Sequence, residues 1–170
     1  QVEVDQQITN IDRFELFFPE KRQFFLENSD LFAGFGYNTV TPFFSRRIGL
    51  DAPILAGARL SGSIGNDWRV GIMNMTTQET DDFLARNFTV ASVQKKVFAR
   101  SNVGFIFVNK EYFDQPDDTT MFNRVFGFDY NLASKNNFWG GKFFYHRSFQ
   151  PENPDKQYSQ GATLSYSTKH

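Results

Sequence analysis

The chain has 170 residues, 22 of them Phe with six Tyr and two Trp besides, and a net charge of −1 spread over well-mixed acidic and basic residues. No basic stripe offers itself to nucleic acid, the absence of Cys removes disulfides and thiolate metal sites, and no run reaches the ~18 apolar residues of a membrane-spanning helix. With a negative mean hydropathy, so many aromatics fit strands that are greasy on one face and wet on the other; composition alone leaves an aromatic-rich soluble sandwich equally open.

The pattern divides near Asp51. Residues 1–53 are predicted to form an irregular, plug-like segment with a short helix, and residues 54–170 about seven antiparallel strands, in one domain that both ends cut short. The chain starts at Gln1 without Met or leader, so the missing signal peptide says nothing about export. Gln1 to Asn10 alternates weakly, and Ile8 and Ile11 lead into Asp12-Arg-Phe-Glu-Leu-Phe-Phe18. Pro19 suits the first position of a short helix, with Glu20 in its first turn where negative charge is favoured. Phe24, Phe25, Leu31 and Phe32 follow among charges, and Gly34 and Gly36 end this stretch. Glu20, Lys21 and Arg22, together with the pair Arg46 and Arg47, are read as a polar cluster that anchors the segment to a barrel lumen through carboxylate pairs, in preference to a ligand site.

From Ile54 the alternation is that of strands. Ile54, Ala56, Ala58, Leu60 and Ile64 share one predicted face, Arg59, Ser61 and Ser63 the other. Gly65-Asn66-Asp67 reads as a tight hairpin turn. Trp68, Val70 and Ile72 continue one face, opposite Arg69 and Gly71. After a polar loop, Asn87 to Ala99 alternates less cleanly because of Lys95-Lys96, and Val103, Phe105 and Phe107 follow. Beyond a turn at Asp114–Asp118, Phe122, Phe126, Phe128, Tyr130 and Leu132 point one way, interrupted by Arg124, with Asn123, Asp129 and Asn131 opposite. Trp139, Phe143, Tyr145 and Phe149 oppose Lys142, His146 and Ser148, although Phe138 and Phe144 fall on that polar side. Last, Tyr158, Ala162, Leu164 and Tyr166 oppose Ser159, Thr163, Ser165 and Ser167.

Three features favour a membrane wall over a soluble sandwich. The predicted strands run roughly 10–13 residues against a usual mode of about 5–6, and a tilted strand needs about 9–11 to cross a bilayer. Connections tend to alternate between short (Gly65–Asp67, Arg100–Asn102, Ala133–Asn137) and long (Gln78–Arg86, Gln150–Gln157), with Asp114–Asp118 between; outer-membrane barrels have short periplasmic turns and longer outside loops. Phe122 and Tyr130, and again Tyr158 and Tyr166, lie eight residues apart on one face, roughly 26 Å along a strand, comparable to the spacing of two aromatic girdles once tilt is allowed for. Phe122, Phe126, Phe128, Tyr130, Tyr158, Leu164 and Tyr166 are therefore the candidate lipid-facing residues. Backbone at an open sheet edge cannot stay unpaired in lipid, so this reading requires further strands from outside the sequence or from a partner.

Catalytic signals are poor. His146 and His170 have no partner pattern, Gly62-Ser63-Ile64-Gly65 has the wrong spacing for a hydrolase elbow, and the pairs Asp81-Asp82 and Asp117-Asp118 lack the spaced ligands of a calcium loop. No catalytic residue, cofactor or metal ligand is assigned. Aromatics also stack on sugars, which makes a carbohydrate-binding domain the main soluble competitor; that role needs one exposed platform, whereas aromatics here recur on most strands.

Three stretches carry a resemblance: Gln1-Val-Glu-Val-Asp-Gln-Gln7, Arg13-Phe-Glu-Leu-Phe-Phe-Pro-Glu-Lys-Arg-Gln-Phe-Phe-Leu-Glu27 and Phe44-Ser-Arg-Arg-Ile-Gly49. They resemble an uncharacterised outer-membrane β-barrel family of Bacteroidetes and related Gram-negative bacteria, a domain of unknown function. The likeness extends through Pro53–Gly62, Trp68–Met73, Asn87–Val90 and Arg100–Gly104, and beyond Lys110 rests on strand pattern. Gln23 stands where the family usually has Pro. The resemblance implies an outer-membrane location and, through a domain similar to family 9 carbohydrate-binding modules that often precedes such regions, a link to glycans. It supplies no catalytic residues. The expectation is an antiparallel transmembrane β-barrel wall acting in surface glycan handling, transport or assembly, with membrane lipid, glycan and other outer-membrane proteins as its partners. A membrane-associated glycan hydrolase and a soluble carbohydrate-binding β-domain are the alternatives.

Overall fold

A computed structural model describes residues 20–113, 121–151 and 157–168. Seven strands form one antiparallel sheet in sequential order: β1 (Ile54–Ile64), β2 (Trp68–Thr77), β3 (Arg86–Val97), β4 (Ser101–Tyr112), β5 (Phe122–Ala133), β6 (Trp139–Phe149) and β7 (Tyr158–Tyr166). The sheet is not closed; among the described residues β1 and β7 have no neighbour on their outer edges. The strand ends joined by 65–67, 98–100 and 134–138 lie at one end of the sheet, and those on either side of the longer intervals 78–85, 113–121 and 150–157 at the other. The predicted turn at Asp114–Asp118, the N-terminal alternation and Pro19 lie outside the described residues.

The two faces differ. One is covered by the N-terminal segment, whose described residues hold two four-residue helical turns, α1 (Gln23–Leu26) and α2 (Asp30–Ala33), and a 3-10 turn at Ser45–Arg47. Helices this short do not persist alone. They are held because Phe25, Leu31, Phe32, Phe35, Phe43 and Ile48 pack as one cluster against Met73, Met75, Val90 and Ile106 of the sheet. Full burial of such a side chain contributes about 1.5–3 kcal/mol.

Glycines make the fit possible. A Cβ on Gly71 would stand 2.6 Å from the Phe32 ring, and one on Gly104 2.9 Å from the Phe35 ring. The sheet therefore presents sockets, and the segment's aromatics fill them.

The other face is bare. Val70, Val93, Phe105, Phe128 and Tyr145 form one row across β2–β6. Ile72, Ala91, Phe107, Phe126 and Arg147 form the next. Phe105 is 53% exposed, Phe126 52% and Leu164 66%.

Three expectations need correction. Ile54 does not share a face with Ala56 and Leu60: a register irregularity between Ile54 and Ala56 pairs Ile54 with Thr77, on the covered side, where its side chain meets Gly49. An extra residue in one strand reverses the alternation beyond it. Glu20 is not in a helix, since α1 begins at Gln23; its carboxylate accepts the backbone N–H groups of Lys21 and Arg22 instead. The turn between β3 and β4 is 98–100, earlier than alternation suggests, with Phe98 at a positive φ of 55°.

Candidate functional site

The chemistry concentrates in the seam between the N-terminal segment and the covered face. Its centre is Asp129 on β5, with a side chain 2% exposed. Asp129 and His146 occupy adjacent strands two pairs apart, and so on the same face, because His146 stands opposite Gly127. His146 Nε2 lies 2.8 Å from Asp129 Oδ1. The other carboxylate oxygen lies 3.0 Å from Lys142 Nζ and accepts the backbone N–H of Gly36 at 2.7 Å. Lys142 also donates to the Gly34 carbonyl at 2.9 Å. Thus three side chains of the sheet hold one bend of the segment. That bend admits only glycine: Gly36 has φ +73°, and a Cβ there would lie 2.0 Å from the Val40 carbonyl oxygen. Tyr37, next in sequence, sets its ring edge-on to Phe144, which is buried over Gly161.

Further ties run along the seam. Arg69 of β2 pairs with Asp30 of α2. Its guanidinium, helped by local backbone N–H groups and opposed by partial burial, holds the Asp30 carboxyl below its ordinary range. Arg59 of β1 donates to the Phe24 carbonyl and lies 5.1 Å over the Phe32 ring. Its Nε and Nη2 are buried without hydrogen-bond partners; the ring face supplies the compensating attraction. Arg86 of β3 pairs with Asp51 at 3.0 Å and lies between the rings of Phe83 and Tyr112, its Nε likewise unpartnered.

Of the cluster expected from sequence, the structure unites Glu20 and Arg22. Arg22 donates through Nε and Nη2 to both carboxylate oxygens of Glu20, at 2.8 and 2.7 Å, and Ser45 adds a third bond at 2.8 Å. Burial raises the Glu20 pKa, but these bonds outweigh it and hold the carboxyl below its usual range. Arg22 also binds the carbonyls of Ile48 and Ser45, closing residues 20–48 into a loop. Lys21 is exposed, and its backbone N–H donates to Glu20 Oε1 at 3.1 Å. Arg46 and Arg47 line a cavity of about 790 Å³ between the 3-10 turn and the long-link ends of β3–β6. Arg86, Lys110 and Asp51 join them there, over a floor that includes Phe43, Ile48 and Phe88.

Alternation separated Asp129 and His146 from the aromatic side but gave no hint that they meet. The register of β5 on β6, which the 134–138 link sets, makes that contact. Neither residue lines the cavity, and among the described residues no three metal-ligating side chains gather. Phe122, Phe126, Phe128, Tyr130, Tyr158, Leu164 and Tyr166 lie together on the bare face, away from the seam.

Residues 1–57 match the family described as Domain of unknown function (DUF5916). The matched stretch takes in the described part of the segment that covers the sheet and ends four residues into β1, and it agrees with the likeness to an uncharacterised family read from the same motifs. No curated protein and no solved structure matches the chain.

Proposed function

We propose that this chain is part of the wall of an outer-membrane β-barrel whose N-terminal segment is an internal plug, and that the protein acts in the passage or assembly of surface glycans. The observation that carries the reading is the bare face. Exposed large apolar side chains run from Leu60 and Ile64 on β1 to Leu164 and Tyr166 on β7. A soluble protein rarely exposes so continuous an apolar patch, whereas hydrocarbon is its natural solvent.

The borders of the patch support the same reading. At the short-link end Lys95 lies 4.7 Å over the Trp68 ring, and Trp139 packs on Tyr166 at 4.8 Å, as in an interfacial aromatic girdle. Toward the long-link end the bare face turns polar. Asn74, Asn87, Thr76 and Thr89 bond to one another across β2 and β3, and Asn109 accepts from Arg124. A polar ladder that satisfies itself marks the level at which a wall leaves hydrocarbon. The open edges of β1 and β7 then require further strands. The glycan link rests on the family resemblance, and the cationic cavity at the long-link end lies where a surface glycan would meet the plug.

Expression of the full-length protein with its leader tests this. The expected result is recovery in the outer-membrane fraction with faster gel migration when unheated. A full-length protein that stays in the aqueous phase and migrates identically with and without heating overturns it.

A further inference from the structure

We infer that the bare face carries a specific site for a phosphorylated, multiply acylated glycolipid of the outer leaflet; this rests on the membrane reading above. The site has two parts. One is a shallow groove of about 640 Å³, with Phe105, Phe107, Phe126, Phe128 and Phe149 among its lining. These rings do not lie flat together: Phe107 and Phe126 tilt by 40°, and Phe126 meets Phe149 at 84°, with centroids 4.9 and 5.8 Å apart. The tilted rings line an open apolar groove that an acyl chain can occupy.

The other part is a pair of cations. Arg147 lines the groove and lies 5.0 Å over the Phe149 ring. Arg124 stands opposite Phe149 on the next strand, 4.3 Å over the Phe122 ring, and gives one bond to Asn109. The residues Arg124, Phe126, Phe149 and Arg147 thus form a two-by-two block in which cations and rings alternate.

Among the described residues no carboxylate pairs with either arginine. This sets them apart from Arg22, Arg69 and Arg86, each of which meets an acid in the seam. Two guanidiniums stacked on rings, at one edge of an apolar field, call for an anion carried on a hydrocarbon tail. Arginine forks match phosphate oxygens bidentately. Their position selects the leaflet. Arg147 is eight residues along β6 from Trp139 of the short-link girdle, roughly 26 Å along the strand. That places the pair toward the long loops, which face outside in such barrels. The outer leaflet there is built of phosphorylated glycolipid, and the groove holds one of its chains.

Native mass spectrometry of the full-length, detergent-purified protein tests the inference with three probes: diphosphorylated lipid A, its dephosphorylated form, and phosphatidylglycerol. The expected order is diphosphorylated lipid A well above the other two. The double variant R124Q/R147Q should lower its bound fraction about tenfold, as loss of charge-assisted bonds does, while K95Q at the opposite girdle changes nothing. Equal binding of the phosphorylated and dephosphorylated forms, preference for phosphatidylglycerol, or full retention by the double variant overturns the site. Heat-modifiable migration is recorded on the same samples. If it is present, a negative binding result removes this site alone; if it is absent in the unaltered protein, the membrane reading and the site fall together.

Discussion

The two faces of the sheet use the same residue types to opposite ends. On the covered face rings from outside the sheet complete the packing, as Phe32 and Phe35 drop into the gaps over Gly71 and Gly104, and polar groups are locked together, as Asp129 is with His146, Lys142 and Gly36. On the bare face the rings grow from the strands themselves and meet one another sideways, as Phe105 does with Phe128, leaving their outer surfaces without a partner. The difference teaches that the covered face is shaped to receive protein, with holes and fixed charges, while the bare face carries a continuous surface of the kind that the proposed membrane reading requires.

That contrast breaks most readily at the covered face. Asp129→Ala leaves Lys142 and the Gly36 N–H without their carboxylate, and Phe32→Ala empties a socket. Each is expected to cost about 3–5 kcal/mol. Denaturant unfolding checks the size, and faster proteolysis of the N-terminal segment checks the place. Next comes the bare face. On the membrane reading, Phe128→Arg, one row deeper than Arg147, should cost about 2–4 kcal/mol in bilayers, as a cation toward the middle of the lipid-facing belt does, whereas the same change at a water-exposed position stays within about 0.5 kcal/mol. Refolding yield in vesicles against urea distinguishes the two.

A smaller effect sharpens the socket argument. Gly71→Val places its Cβ against Phe32 and should cost about 1–3 kcal/mol by overpacking. Gly62→Val, on β1 of the bare face where a Cβ meets nothing within 4 Å, should leave stability unchanged or slightly raised. Parallel denaturation curves suffice to compare them.

The smallest effect concerns Asp30 and Arg69, an exposed pair worth about 0.2–1 kcal/mol. The Asp30 carboxyl is held below its unfolded value, so its contribution is complete above that value and is lost as pH falls through the folded one. The gap between the unaltered protein and Asp30→Asn should therefore be present at neutral pH, begin to shrink below about pH 4 and vanish in stronger acid.

How much of this could be read before the fold depended on the range of the interaction. Period-two alternation along β5 put Phe126 and Phe128 on one side and Asp129 on the other, because that rule needs only neighbouring residues. The sheet's one open, sequential order follows from short links. Ile54 escaped it because one irregular pairing next to Leu55 reverses the side on which Ile54 falls, and nothing in Pro53-Ile-Leu-Ala56 signals it. The Lys95-Lys96 blur resolves into two roles: Lys95 reaches over Trp68 on the bare face, and Lys96 gives its backbone N–H to Asp67. The Asp129–His146 contact escaped for a different reason. It depends on the register across a link, and a shift of one pair would part them. Within the expected polar cluster Arg22 and Glu20 form a carboxylate pair, and Arg46 and Arg47 line the cavity beside it.

The sharpest single measurement is solvent and oxygen accessibility of nitroxide labels on single cysteines, in the full-length protein reconstituted in bilayers with any other cysteine removed. Labels at Phe128 and Leu164 should collide readily with dissolved oxygen and scarcely with a water-soluble nickel chelate, while a label at Ser165, on the opposite side of β7, shows the reverse. Labels at Phe128 and Leu164 shielded from both reagents, as inside a protein interior, or open to the nickel chelate, would contradict the account.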